Sequence, residues 1–131
     1  MPIDKLAWIY IKDRKVLFVR SHGKDIPYTP GGKREEGETD EEALVREIRE
    51  ELQIELVRNT IVYLRTVTAQ AHGKPEGVMV EIKCYAADFT GTPAPSNEIE
   101  EMQWVNSADT ERLSVPGKLI TGWLKGEGLI D

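Results

Sequence analysis

The sequence predicts an α+β fold, and three observations carry that reading. Apolar, β-branched-rich runs from Leu6 to Ile11, Val16 to Val19, Ile61 to Thr68 and Val78 to Phe89 have the length and composition of strands. Between the second and third of these, Leu44, Ile48 and Leu52 recur four residues apart, the spacing of one helix face. Near the carboxyl terminus a proline, Pro116, opens a segment carrying Leu119, Ile120, Trp123 and Leu124 that ends near Gly126, which reads as a last helix.

The elements follow in order. Asp13-Arg14 separates the first two apolar runs, so the chain is expected to open with a strand, a tight turn and a second strand, a hairpin. Ser21 to Pro27 is a loop, and Tyr28-Thr29 is a short extended step into Pro30-Gly31-Gly32. Pro30 pushes Thr29 toward extended geometry, and the two glycines allow backbone angles that other residues resist, so the chain bends sharply there. Thr39 with Glu42 three residues on forms a capping-box pattern, and Asp40, Glu41 and Glu42 suit the positive end of a helix dipole, so the helix should begin near Asp40. After Gln53 the pattern turns β-like, with a break near Arg58-Asn59-Thr60. Gly73 to Gly77 is a turn, and beyond it Val78, Val80, Ile82 and Cys84 alternate with Met79, Glu81, Lys83 and Tyr85, an antiparallel ribbon with the preceding strand. Gly91 to Asn97 is a loop, Met102 to Val105 a short strand, and Asp109 to Leu113 one helical turn.

Bulk properties narrow the function classes. A chain of 131 residues, 40% of them hydrophobic, is expected to form one domain spanning 1–131 with its own core. The net charge of −6 argues against a nucleic-acid polymer or an anionic membrane as partner and suits metal capture. Cys84 is the only cysteine, so there is no internal disulfide and no cysteine-rich zinc cage, which fits a reducing compartment. The apolar run at the amino terminus is too brief for a signal peptide or membrane span, and a soluble cytoplasmic protein is expected.

The helix from Asp40 carries more carboxylates than a solvated face requires. Glu47, Glu50 and Glu51 stand three and four apart, where like charges repel by about a few tenths of a kcal/mol per pair. A hard cation among them resolves the repulsion, and magnesium, which takes about six oxygen ligands and shares them with substrate phosphates, is the natural candidate. A phosphorylated substrate follows, and phosphoanhydride hydrolysis is the chemistry that needs polarised phosphate oxygens. Neither of the two histidines sits in a nucleophile motif. The plainer alternative is a solvated amphipathic helix with Arg46 and Arg49 among its glutamates, and the glycine-rich bend before the helix favours a site over it.

The stretch Gly32, Glu38, Arg46, Glu47, Ile48, Glu50, Glu51 and Ile54 resembles the Nudix box, with Gln53 where that family usually has glycine. The flanks resemble Nudix hydrolases as well, in the opening hairpin, the Tyr28 to Gly32 approach and the Trp104-Val105 strand. The resemblance implies an α/β/α sandwich around a central mixed β-sheet. It implies Glu47, Glu50 and Glu51 as metal ligands for Mg2+, or Mn2+ in its place, with the Gly31 carbonyl as a further ligand. Glu38 would support the ligands from behind, and Arg46 would orient a box carboxylate. An acidic residue from a distal loop often joins such sites, and Glu98 is the candidate here, with Glu101 the runner-up; the alternative for each is an ordinary solvated loop charge. Gln53 bears on helix termination and leaves every carboxylate intact.

By the same resemblance the substrate is a small-molecule nucleotide. A short chain of this kind looks most like MutT-type enzymes, which convert a (d)NTP to the monophosphate and pyrophosphate. Nucleotide sugars, ADP-ribose, dinucleoside polyphosphates and a non-catalytic nucleotide-sensing module are the alternatives. No proline stands about sixteen residues beyond the box, the feature of ADP-ribose members, where Ala69, Gln70 and Ala71 occur instead. A base needs an aromatic or apolar wall, and Tyr28, Tyr85, Trp104 and Trp123 are the large rings available, most of them destined for the core. Arg20, Lys33, Arg34 and Lys74 are the cations placed to reach phosphates, with scattered surface charge as the plainer reading, and His72 falls in a turn that could face the cleft. The chain is expected to act as a monomer or homodimer.

Overall fold

A computed structural model describes residues 1–131. The strands are β1 (Ile3–Trp8), β2 (Ile11–Lys12), β3 (Lys15–Ser21), β4 (Gly31–Gly32), β5 (Glu55–Leu56), β6 (Val62–Gln70), β7 (Met79–Ala86), β8 (Phe89–Thr90) and β9 (Ile99–Val105). The helices are α1 (Asp40–Leu52) and α2 (Val115–Gly126), with 3-10 turns at Arg58–Thr60 and Ser107–Arg112. The main sheet is mixed, in the order β4-β1-β7-β6: β1 runs parallel to β7 and antiparallel to β4, and β6 runs antiparallel to β7. A second sheet has the order β2-β3-β9, and β5 pairs with β8.

Helices cover both faces, so the central strands read as unbroken apolar runs rather than alternating ones. Leu6 to Ile9 and Val16 to Val19 are all buried. Alternate residues nonetheless go to opposite cores. Leu6, Trp8, Leu17 and Val19 pack with Leu44, Ile48 and Leu52 of α1, while Ala7, Ile9, Val16 and Phe18 pack with Leu113, Ile120 and Leu124 on the α2 side. A mixed sheet layer thus lies between α1 and α2, as the Nudix resemblance implies.

The expected opening hairpin forms, and it is short. Asp13 and Arg14 both take left-handed φ, 52° and 61°, the geometry of a two-residue hairpin turn, but the pairing it starts extends only through β2 and Tyr10. At Ile9 the backbone N–H donates instead to Tyr85 in β7, 2.8 Å away, and β1 continues in the main sheet. The β6–β7 ribbon is as expected, with Val80, Ile82 and Cys84 buried. The last strand begins at Ile99, three residues earlier than the apolar pattern suggests, and pairs with β3. No helix of the chain is long and apolar enough to cross a membrane.

Candidate active site

The site is built on α1, and its amino-terminal box explains where that helix starts. The Thr39 hydroxyl accepts from the Glu42 N–H at 3.1 Å, and the Glu42 carboxylate accepts from the Thr39 N–H at 2.9 Å. At about 100° per residue, Glu51 lies about 40° from Glu47 on the wheel, toward the buried stripe of Leu44 and Ile48. Glu50 lies about 60° to the other side, toward solvent. The structure follows that arithmetic: Glu51 is 2% exposed, Glu47 is half-buried and Glu50 is exposed. The carboxylates of Glu47 and Glu51 converge with that of Glu98, and ligand atoms of the three lie within 4.8 Å of one another. Glu50 stands beside this group, facing the Arg46 guanidinium at 3.5 Å.

Two glycines make room for the cluster. The Gly31 N–H donates to Glu51 Oε1 at 3.1 Å, so Gly31 meets the site through its amide. Its φ of +141° and the position a Cβ would take, 2.1 Å from the Leu6 carbonyl oxygen, restrict it to glycine. At Gly32 a Cβ would sit 2.6 Å from the Glu47 carboxyl carbon, so this glycine leaves the space that Glu47 fills.

Arg46 fixes Glu47 from the solvent side. Its guanidinium donates twice to Glu38, at 2.7 and 2.9 Å, once to Glu47 at 3.0 Å and once to the Lys33 carbonyl at 3.1 Å. The forked contact holds Glu38 down to about 2 and raises the arginine further above its ordinary value. Burial has the opposite effect deeper in. It pushes Glu51 up to about 9, with the Gly31 amide opposing and the charges of Glu47 and Glu98 adding to the rise. Glu47 is raised as well, chiefly by burial, with Arg46 opposing.

Glu98 arrives from a loop tied to the carboxyl end of α1. Ala94 N–H donates to Leu52 O at 3.0 Å, Ser96 N–H to Glu51 O at 2.9 Å, and Asn97 Nδ2 to Glu50 O at 2.6 Å. These are the carbonyls a helix end leaves unpaired. Gln53 keeps the left-handed cap that glycine usually provides, at φ 59°, and its side-chain amide reaches Ala94 O and Pro95 O at 3.4 Å. Glu101 stays out of the cluster because Arg20 binds it at 3.0 Å.

Gly31 and Gly32, which touch Glu51 and Glu47, also line a cleft of 660 Å³ together with Tyr28, Ile82 and Pro116; the glutamates themselves are not in its lining. Tyr28, named from the sequence as a substrate contact, lines it with its hydroxyl 2.5 Å from Ser21 Oγ, and burial raises its pKa. Arg20 and Lys33 are not among the lining residues: Arg20 is engaged by Glu100 and Glu101, and Lys33 is exposed beside Arg46. Arg34 is bound by Asp4 and Asp40. Lys74 and His72 do line the cleft. Of the other rings, Tyr85 donates to Asp40 at 2.6 Å, Trp104 packs on Tyr10, and Trp123 lies under Arg65. Two residues escaped the sequence reading. Lys5 lines the cleft from β1, where the sequence showed it only as one of two charges, with Asp4, ahead of the apolar run; Asn97 left no mark beyond a turn-prone residue type.

Three crowded carboxylate oxygens, one from a buried glutamate, form a donor set that fits a hard divalent cation. Two of these donors come from the first helix and the third from the loop tied to its carboxyl end, on one side of a sheet layer held between two helices. Residues 5–121 match the family model described as NUDIX domain, and the chain belongs to the Nudix hydrolases, which act on pyrophosphate bonds. It is 28% identical over 123 residues to the uncharacterised Nudix hydrolase YvcI of Bacillus subtilis (strain 168), a match covering 90% of this chain and 77% of that one. Among solved structures it resembles a protein assigned to the nudix hydrolase family from Chromobacterium violaceum, at 29% identity and TM-score 0.72, covering 98% of this chain and 86% of that one. It also resembles the MutT NUDIX hydrolase of Burkholderia pseudomallei, at 26% identity and TM-score 0.68, over 94% and 95% of the two chains.

Proposed function

We propose that the protein is a magnesium-dependent pyrophosphohydrolase that converts a nucleoside triphosphate and water to the monophosphate and pyrophosphate. The observation that carries this reading is the convergence of Glu47, Glu51 and Glu98, two of them in contact with Gly31 and Gly32, which line a cleft large enough for a nucleotide. Glu47, Glu51 and Glu98 hold the ion, Mg2+ or Mn2+ in its place, and Glu50 completes the acidic rim. A divalent ion bound there supplies Lewis-acid polarisation of the anhydride oxygens. Arg46 and Glu38 keep the Glu47 carboxylate aimed at the site, and the Gly31 amide keeps that of Glu51. Tyr28 and the apolar side chains of Ile26, Val80 and Ile82 supply the wall against which a base packs. The likeness to the Burkholderia MutT over nearly the full length of both chains supports a MutT-type reaction.

The test is a nucleotide panel with and without Mg2+, read by product identification. Release of pyrophosphate and a monophosphate, lost in Glu51→Gln and Glu98→Gln, is the expected result. Inorganic phosphate as first product, or full activity in both variants, would overturn the assignment.

A further inference from the structure

Lys5 lies within β1, which has β4 on one side and β7 on the other, opposite Ile82 in register and next to Leu6, the partner of Gly32, and its side chain is exposed. Its side chain opens into the cleft, which Lys74 enters from the turn after β6 and Lys24 from the loop after β3; Asp25 is the one carboxylate in the lining. The chain has 23 acidic residues against 17 basic ones, so counter-charges are plentiful, yet no ion pair in the protein includes Lys5, Lys24, Lys33 or Lys74. Arg14, Arg20, Arg34, Arg46, Arg49 and Lys83, by contrast, all have carboxylate partners. Three of the unpaired cations thus line this cleft, and Lys33 and Lys74 stand near enough for their charges to act on Lys5. The consequence is visible at Lys5, whose pKa is lowered first by desolvation in the cleft and then by the charges of Lys33 and Lys74, with Glu51 opposing.

The unpaired ammonium groups in the cleft and the carboxylate cluster in contact with Gly31 and Gly32 make two neighbouring regions of opposite sign. A ligand that satisfies both is a polyanion long enough to meet a cation held by the glutamates and the lysines together. We infer that Lys5 and Lys74 form a phosphate-binding pair that grips the phosphate lying between the carboxylate cluster and the apolar part of the cleft. The inference rests on the pyrophosphohydrolase reading and adds to it the residues that hold the phosphates of the triphosphate.

The experiment has a binding arm and a kinetic arm. Lysine acetylation by a limiting amount of acetic anhydride is followed residue by residue by mass spectrometry, with inorganic tripolyphosphate or with sulfate at matched ionic strength. Tripolyphosphate is expected to slow modification of Lys5 and Lys74 several-fold relative to sulfate and to leave Lys118 and Lys125 of α2 unchanged. In the kinetic arm, Lys5→Met and Lys74→Met each raise KM for the turned-over triphosphate by about ten- to a hundredfold with a smaller effect on kcat, and Lys5→Arg recovers most of the loss. Equal protection at all four lysines, or an unchanged KM in both methionine variants, overturns the inference. Lys74 lies in an exposed turn, so its variant keeps the test open if Lys5→Met fails to fold. Failure of the pyrophosphohydrolase reading looks different: the wild-type protein turns over no triphosphate, whatever the footprint shows.

Discussion

Replacing Glu51 by glutamine separates the stability of the site from its function. Glutamine keeps the shape and an oxygen to accept the Gly31 N–H, and it removes the ionisable proton of a side chain that is only 2% exposed. The folded carboxyl group titrates at about 9, above its ordinary value of 4.5. Between those two values the metal-free folded chain retains a proton that the unfolded chain has released, so its stability falls as pH rises through that window and is unaffected below it. At 1.36 kcal/mol per unit, the fall by pH 7 is about 3 kcal/mol at most. A chain of this length shifts its Tm by about 3–5 °C per kcal/mol, so metal-free Glu51→Gln should melt about 5–10 °C above wild type at pH 7–8 and alongside it near pH 4.5. Magnesium acts in the opposite direction: at a hundredfold excess over Kd it stabilises wild type by about 2.7 kcal/mol, a rise of about 10 °C that the variant should largely lose. Differential scanning fluorimetry across pH with EDTA and then with Mg2+ measures both arms. A metal-free variant that melts at or below wild type at pH 8, or one that keeps the full magnesium response, refutes the reasoning.

Gly32→Ala drives a Cβ to within 2.6 Å of the Glu47 carboxyl carbon. The contact is with the flexible end of a side chain, so Tm should stay within about 3 °C while metal affinity by calorimetry falls about tenfold or more. Arg46→Lys loses the two-point contact with Glu38, and turnover should drop about 10- to 100-fold with an unchanged circular dichroism spectrum. Glu101→Gln should leave kcat within about twofold of wild type, whereas Glu98→Gln lowers it at least about tenfold, because Arg20 holds the first carboxylate outside the cluster that contains the second. Asn97→Ala removes the 2.6 Å bond to Glu50 O from a residue at φ 53°, so Tm should fall by about 5 °C and KM for Mg2+ should rise.

The fold was legible wherever a periodic pattern met a local signal. The capping box at Thr39 and Glu42 set the start of α1, and the alternation from Val78 to Cys84 set the inward face of β7. The short extent of the opening hairpin was not legible because two strands buried on both faces carry no alternation to fix their partners. Leu6 to Ile11 looks like one run, yet it serves two sheets, with β1 ending at Trp8 and β2 starting at Ile11. The turn at Asp13-Arg14 could say only that its immediate neighbours pair. The parallel partnership of β1 with β7 joins residues more than seventy positions apart, and nothing short-range encodes it.

The site divides along the same line. The angular separation of Glu47, Glu50 and Glu51 on a helix is arithmetic from the sequence, and it orders their burial correctly. The convergence of Glu98 is not, because two of the three bonds that bring its loop to α1 come from the backbone N–H groups of Ala94 and Ser96, which any residue other than proline could donate. Their acceptors are the carbonyls of Glu50, Glu51 and Leu52, left free because a helix ends there. The helix that contributes two of the carboxylates therefore also anchors, through its unpaired end, the loop that contributes the third. That coupling gives the box residue Gln53 its place in the chemistry. By holding a left-handed cap without glycine, and by reaching Ala94 O and Pro95 O with its side chain, it keeps the helix end in register with the loop.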